Sequence, residues 1–193
     1  FINSFDLVVR FNAALPIDPR IAQDTGERCD VLYHCERIDP SLGGPIKADV
    51  LRRYGVKVLC DGHNLIGTNP KRWRDEAVPM ARLALREGMV FHAPPRQIYE
   101  SISKACGHPN IGTVAICDMM HHGAKEVYCT GFTFKTGYAS GYKDDQNAGK
   151  MARIHRRHNF DKQRACLSEW YAGDDRLTGD AVFMAAIKKG VTV

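Results

Sequence analysis

Nowhere in its 193 residues does this chain carry an apolar run approaching the ~18 needed to span a bilayer, so no transmembrane segment is expected. It also lacks a Cys-x-x-Cys pair. Its seven cysteines, an odd number, lie mostly in apolar strand-like or helix-like contexts, where Cys behaves as a small hydrophobe. A disulfide framework is therefore not expected, and the compartment reads as reducing: cytoplasmic, free or peripheral to a membrane. Cys117, His121, His122 and Cys129 are the residues that would suggest a metal, but their helix-then-strand spacing does not resemble a ligand pattern. Neither an internal repeat nor a domain linker is visible, which points to one domain over 1–193. No secretory leader is expected, because Phe1 sits just ahead of a strand; the chain reads as a trimmed or incomplete version of a longer product. Charge of one sign is scarce. A formal net charge of +5 is too small to argue strongly for nucleic acid. The basic runs Lys71–Arg74 and Arg153–His158 read either as a solvated surface or as a rim attracting phosphate, an anionic sugar or an anionic acceptor.

What is present is ordinary globular material, 44% hydrophobic and 25% charged. Short β-rich runs alternate with longer helical ones. Strands are expected at 6–11, 30–35, 56–60, 89–92 and 126–132. Helices are expected at 48–54, 72–87, 96–106, 112–122, 161–171 and 179–189. The strands are nearly continuous in hydrophobicity, as in a parallel sheet covered on both faces. Gly88, Gly107, Gly123 and Gly190 follow four of the helices in C-cap fashion. The expected fold class is α/β, a Rossmann-like parallel sheet with helices on both faces and right-handed crossovers. Residues 39–47 read as a loop. Residues 135–150 form a long polar stretch that is rich in glycine and carries Tyr138, Tyr142, Asp144 and Asp145, a candidate lid.

Ligands of open α/β sheets sit outside the carboxyl ends of the strands. Asn12 stands at such an end and offers both a donor and an acceptor to a ribose, base edge or phosphate; the plainer alternative is an Asn satisfying a turn. Arg10 reads as structural. Asn110-Ile111-Gly112-Thr113 precedes an apolar helix, whose unpaired N–H groups make an anion site that a glycine leaves open; the alternative is a simple N-cap by Asn110. His158 precedes an amphipathic helix and has the chemistry of a base near neutral pH, or is one more member of a basic surface run. His121 and His122 sit where a protonated ring complements a helix end and read as structural. Tyr138 and Tyr142 offer hydroxyls to a leaving phosphate, or anchor their loop.

Taken together in this order, these segments resemble the sialyltransferase superfamily. Asp6-Leu-Val-Val-Arg-Phe-Asn12 resembles the end of its large sialyl motif, and Asp30-Val-Leu-Tyr-His34 resembles the strand that follows. Pro109-Asn-Ile-Gly-Thr113 through Gly131-Phe-Thr-Phe134 resembles the small sialyl motif, and His158 onward the short C-terminal motif that supplies the base. The likeness spans most of the chain and is greatest to compact bacterial and viral members, which do without the disulfide-paired lumenal architecture. It implies a GT-A-like variant of the α/β fold, a CMP-sugar donor, an acceptor hydroxyl on a glycan or other molecule, inversion at the anomeric carbon, and no metal or other cofactor for the chemistry. By motif, Asn12 contacts the nucleotide, Asn110, Ile111, Gly112 and Thr113 cradle donor phosphate or carboxylate with Gly131 nearby, Tyr138 or Tyr142 assists phosphate departure, and His158 deprotonates the acceptor.

Three positions depart from the family pattern. The first strand and its Gly-Asn turn would precede Phe1. The Ser or Thr normally before the small-motif glycine is Ile111. The Glu that many animal members carry five residues after the base is Gln163. The rival expectations are a transferase for another donor such as CMP-Kdo or for an unusual acceptor, and a nucleotide-binding or interaction protein that keeps the fold without catalysis.

Overall fold

A computed structural model describes residues 1–39, 43–65, 69–132, 134 and 158–188. The candidate lid 135–150, with Tyr138 and Tyr142, lies outside them, as do Gly190 and all of the second basic run but His158. The chain divides into two compact units, Phe1–Arg96 and Gln97–Val193.

The first unit is built on a four-stranded parallel sheet in the order β1 (Val9–Phe11), β2 (Val31–His34), β3 (Val58–Asp61), β4 (Val90–His92). Val31 registers with Val9 on one side and Val58 on the other, and Val58 with Val90. All four residues of β2 are buried. Successive side chains of a strand point to opposite faces, so this strand is covered on both, as its unbroken apolar run requires. The α/β class expected from the alternation is observed.

Three helices connect these strands. Helix α1 (Ala22–Thr25) follows β1 and α2 (Ala48–Arg53) follows β2. Asp49 in the first turn of α2 and Arg52 and Arg53 in its last complement the helix dipole. Helix α3 runs through Pro70–Arg72, a π-helical segment Trp73–Ala77, and Val78–Arg86. It starts two residues earlier than the expected 72–87 because Asn69 caps it, accepting from the Arg72 N–H, with Pro70 at the first helical position. The π segment ends just before Pro79, whose ring nitrogen cannot donate to the helical ladder. Leu32, Leu51, Leu59, Met80, Ala84 and Met89 form the core of this unit. Arg10 is structural as expected: its guanidinium donates to the carbonyls of Thr25, Gly26 and Arg28.

Gly43 occupies a place no larger residue fits. A methyl there would lie 2.5 Å from the Arg37 carbonyl oxygen, 2.6 Å from the His34 ring and 2.8 Å from the Cys35 sulfur. The buried His34 ring donates through Nε2 to the Gly43 and Gly44 carbonyls at 3.0 and 3.1 Å, which fixes this segment against β2. Gly43→Ala is expected to cost about 1–3 kcal/mol by overpacking, read from the urea midpoint.

The second unit holds α4 (Arg96–Cys106), α5 (Ile111–His121), a parallel strand pair β5 (Val127–Cys129) and β6 (Leu177–Gly179), α6 (Phe160–Trp170) and α7 (Ala181–Lys188). Helix α5 is apolar nearly all round and is buried accordingly, from Ile111 through Asp118. Around Val114, Cys117 and Met120 pack Ile102, Phe134, Phe160, Leu167 and Phe183. All seven cysteines of the chain are buried free thiols. Gly107 and Gly123 take left-handed φ values of 75° after their helices, as does Gly88 (φ 70°) after α3.

One expected element is corrected. The stretch read as a helix from Gly179 opens on the last residue of β6, and α7 begins only at Ala181. Asp180 makes the junction: its carboxylate accepts from the Phe183 N–H at 2.8 Å, and from the Gly131 N–H and Thr130 hydroxyl at 2.9 Å each. Burial alone would raise the Asp180 pKa, but these donors hold it below the usual carboxylate range.

Candidate functional site

Two groups of polar residues stand out, one in each unit. In the first unit they gather beyond the carboxyl ends of the parallel strands. Three non-glycine residues there take left-handed φ: Asn12 (52°) after β1, Glu36 (61°) after β2 and Asn64 (48°) after β3. Such values cost local strain, and Asn tolerates them best among non-glycine residues. Asn12 bridges two strand ends, its Oδ1 accepting from the Cys35 N–H at 2.9 Å. The turn-satisfying role is therefore present, and the Nδ2 donor is the atom this side chain can offer a ligand.

Behind these strand ends lies a buried charged group that the sequence did not single out. Glu36 Oε2 meets His63 Nδ1 at 2.9 Å, with side-chain exposures of 0% and 7%. Asp61 accepts the N–H of His63 at 3.1 Å and of Leu65 at 2.8 Å. Burial pushes Glu36 up to about 8 and Asp61 up to about 7; each carboxyl faces the other, which raises Asp61 further. Arg72 approaches Glu36 at 3.7 Å and pairs with Glu76 at 2.6 Å. The basic run at 71–74 is thus largely neutralised: Arg72 turns to these carboxylates and Arg74 pairs with Asp75. The signal available in the sequence was an acidic residue at the end of each of two apolar strands, Glu36 close behind β2 and Asp61 closing β3.

In the second unit the structure brings His158 and Asn110–Thr113 together. Asn110 caps α5, its Oδ1 accepting the Thr113 N–H at 2.9 Å. The fully buried Gln163 side chain closes the same helix end: its Oε1 accepts from Asn110 N at 2.9 Å, Asn110 Nδ2 at 2.6 Å and Thr113 Oγ1 at 2.9 Å. The half-buried His158 stacks on His108, with ring centroids 4.9 Å apart, and its Nδ1 lies 3.0 Å from the His108 carbonyl oxygen. A carbonyl only accepts, so Nδ1 carries a proton.

Two further site residues are placed with different surroundings than expected. Gly112 is small because Phe132 is there: a methyl at Gly112 would lie 2.4 Å from that ring. The space a glycine would leave for an anion is taken on that side by an aromatic edge. Gly131 adopts φ 70° just beyond β5, and its N–H is engaged by Asp180. Ile111 is buried as the first residue of α5 and serves packing. His122 lies 3.4 Å from the Asp118 carboxylate one turn earlier, a helix-end pairing. Taken within either unit alone, the described His, Cys, Asp and Glu residues bring no three ligand atoms close enough together to hold a metal.

Comparison with protein-family models, with curated proteins and with solved structures finds no match to this chain.

Proposed function

We propose that this chain is a glycosyltransferase of the sialyltransferase type, moving a sugar from a CMP-sugar donor to an acceptor hydroxyl with inversion. The observation that carries the reading is the His158 ring, whose Nδ1–H donates to a backbone carbonyl beside the capped N-terminus of α5; in this reading Nε2 is the basic site. A base that must abstract a hydroxyl proton near neutral pH needs that tautomer and that fixed position. In this reading Nε2 takes the acceptor proton as the acceptor oxygen attacks the anomeric carbon, and the CMP phosphate departs with the bonding pair. The remaining N–H groups at the start of α5 favour an anion nearby. Asn12, at the carboxyl end of β1, contacts the nucleotide. The fold implied is a GT-A-like variant with helices on both faces of the parallel sheet.

A second reading, a nucleotide-binding protein without transfer, is favoured by the packing of Phe132 against Gly112, which narrows the anion site. A nucleotide panel tests the donor class common to both. CMP or CDP at ~100 times its dissociation constant should stabilise the protein by roughly 2.7 kcal/mol, and UDP, GDP and adenine nucleotides by much less. A thermal-shift series in which CMP has no effect and another nucleotide moves the midpoint sinks the CMP assignment. CMP stabilisation without any transfer to a range of glycan acceptors selects the second reading.

A further inference from the structure

Gln163 is 0% exposed in the first turn of α6, and a buried amide must place both its oxygen and its nitrogen. The oxygen takes three donors, Asn110 N, Asn110 Nδ2 and Thr113 Oγ1. The nitrogen faces the His108 carbonyl oxygen at 3.5 Å, the same oxygen that receives His158 Nδ1 at 3.0 Å. The segment His108–Asn110 is therefore held at both ends by one side chain, and Pro109 between them has its φ fixed by its ring. The His108 carbonyl cannot swing away without breaking the clamp on Asn110. That carbonyl accepts from Nδ1 of His158, so whatever fixes the carbonyl favours the Nδ1–H form of the ring.

We propose that Gln163 is a positioning residue: by clamping the start of α5 through Oε1 it holds the His108 carbonyl where it keeps His158 as the Nδ1–H tautomer. The inference rests on the reading of His158 as base, but its first readout is independent of activity. The test uses the full chain and two substitutions. Gln163→Leu removes every hydrogen bond of the amide. Gln163→Glu keeps an oxygen for the three donors and gives up only the amide N–H that faces the His108 carbonyl, so it isolates the part played by Oε1. Nitrogen–proton correlation spectra of the imidazoles report the tautomer, with His158 assigned by its disappearance in His158→Ala. Wild type and Gln163→Glu should show Nδ1–H, and Gln163→Leu a mixture with Nε2–H. In transfer assays Gln163→Leu should lose at least about tenfold in kcat with little change in donor KM, and Gln163→Glu should recover most of it. A folded Gln163→Leu that retains the Nδ1–H tautomer and full kcat overturns the proposal. If Gln163→Leu does not fold, Gln163→Glu decides: folded but without the Nδ1–H tautomer, it shows that the clamp is not what positions the ring. If no form of the protein transfers sugar, the base reading fails, while the tautomer spectra still settle the role of Gln163.

Discussion

His158→Ala is expected to lower kcat by about 10²–10⁴-fold, the usual contribution of a general base, with CMP affinity nearly unchanged. The split follows from chemistry. The base acts on the acceptor proton in the transition state, whereas the nucleotide is held by other groups, Asn12 among them in this reading. Asn12→Ala should therefore weaken CMP binding, as measured by calorimetry, while His158→Ala leaves it alone. The wild-type profile of kcat against pH should rise through the titration of the base, because only its neutral form accepts a proton, and the variant should lose that ascending limb. The structure sharpens the expectation. Removing the ring takes away one of the two donors to the His108 carbonyl and the 4.9 Å stack, but leaves the Gln163 clamp on Asn110 and Thr113 in place. The fold should accordingly survive, and lost activity should report chemistry. Full transfer activity in a folded His158→Ala protein would reduce His158 to a surface-run residue and move the search for the base to His155 or to Asp144 and Asp145.

The parallel sheet could be read in the sequence because its strands need apolar residues on both faces. Val31-Leu32-Tyr33-His34 has no polar residue until His34, and helical runs separate it from its neighbours. The caps at Asn110, Gly88, Gly107 and Gly123 were equally readable, since each follows from one backbone requirement. Strand β6 was not, because Leu177-Thr178-Gly179 is three residues long and only its pairing with Val127–Cys129 defines it. Asp180, a good N-cap residue, was the signal that α7 starts later than Gly179. Polar residues behaved differently. Gln163 stood out only as a departure from a motif, and nothing local distinguishes a buried clamp from a solvated glutamine one turn into an amphipathic helix. Glu36, Asp61 and His63 were not singled out for the same reason: a charged residue at a strand end reads as loop, and only tertiary packing puts it at 0% side-chain exposure, as it does Glu36.

That buried group gives the last prediction, a stability that falls as pH rises through neutrality. Glu36 and Asp61 have folded pKa values raised to about 8 and about 7, from 4.5 and 3.8, because burial penalises their charged forms. The sign follows from proton counting. Between the unfolded and folded values the native state binds more protons, so the stability these groups contribute is fully present below about pH 4 and is lost as pH climbs through 7 and 8. Each proton involved gives a limiting slope of about 1.4 kcal/mol per pH unit. His63 lies 2.9 Å from Glu36, and Arg72 at 3.7 Å softens the cost of the ionised form. Carboxylates such as Asp30 and Glu76, held below their ordinary values although burial opposes it, act in the opposite sense and lose their contribution in acid. Urea midpoints should therefore peak on the mildly acidic side and decline toward pH 9. Glu36→Gln tests the cause, because the amide imitates the protonated acid: its oxygen can take the His63 proton and its nitrogen can donate toward Asp61. The variant should match wild type near pH 5, exceed it at pH 9, and show a flatter alkaline limb. Parallel curves for the two proteins across that range would mean that Glu36 is ionised in the folded state at neutral pH, and that the surrounding cations outweigh its burial.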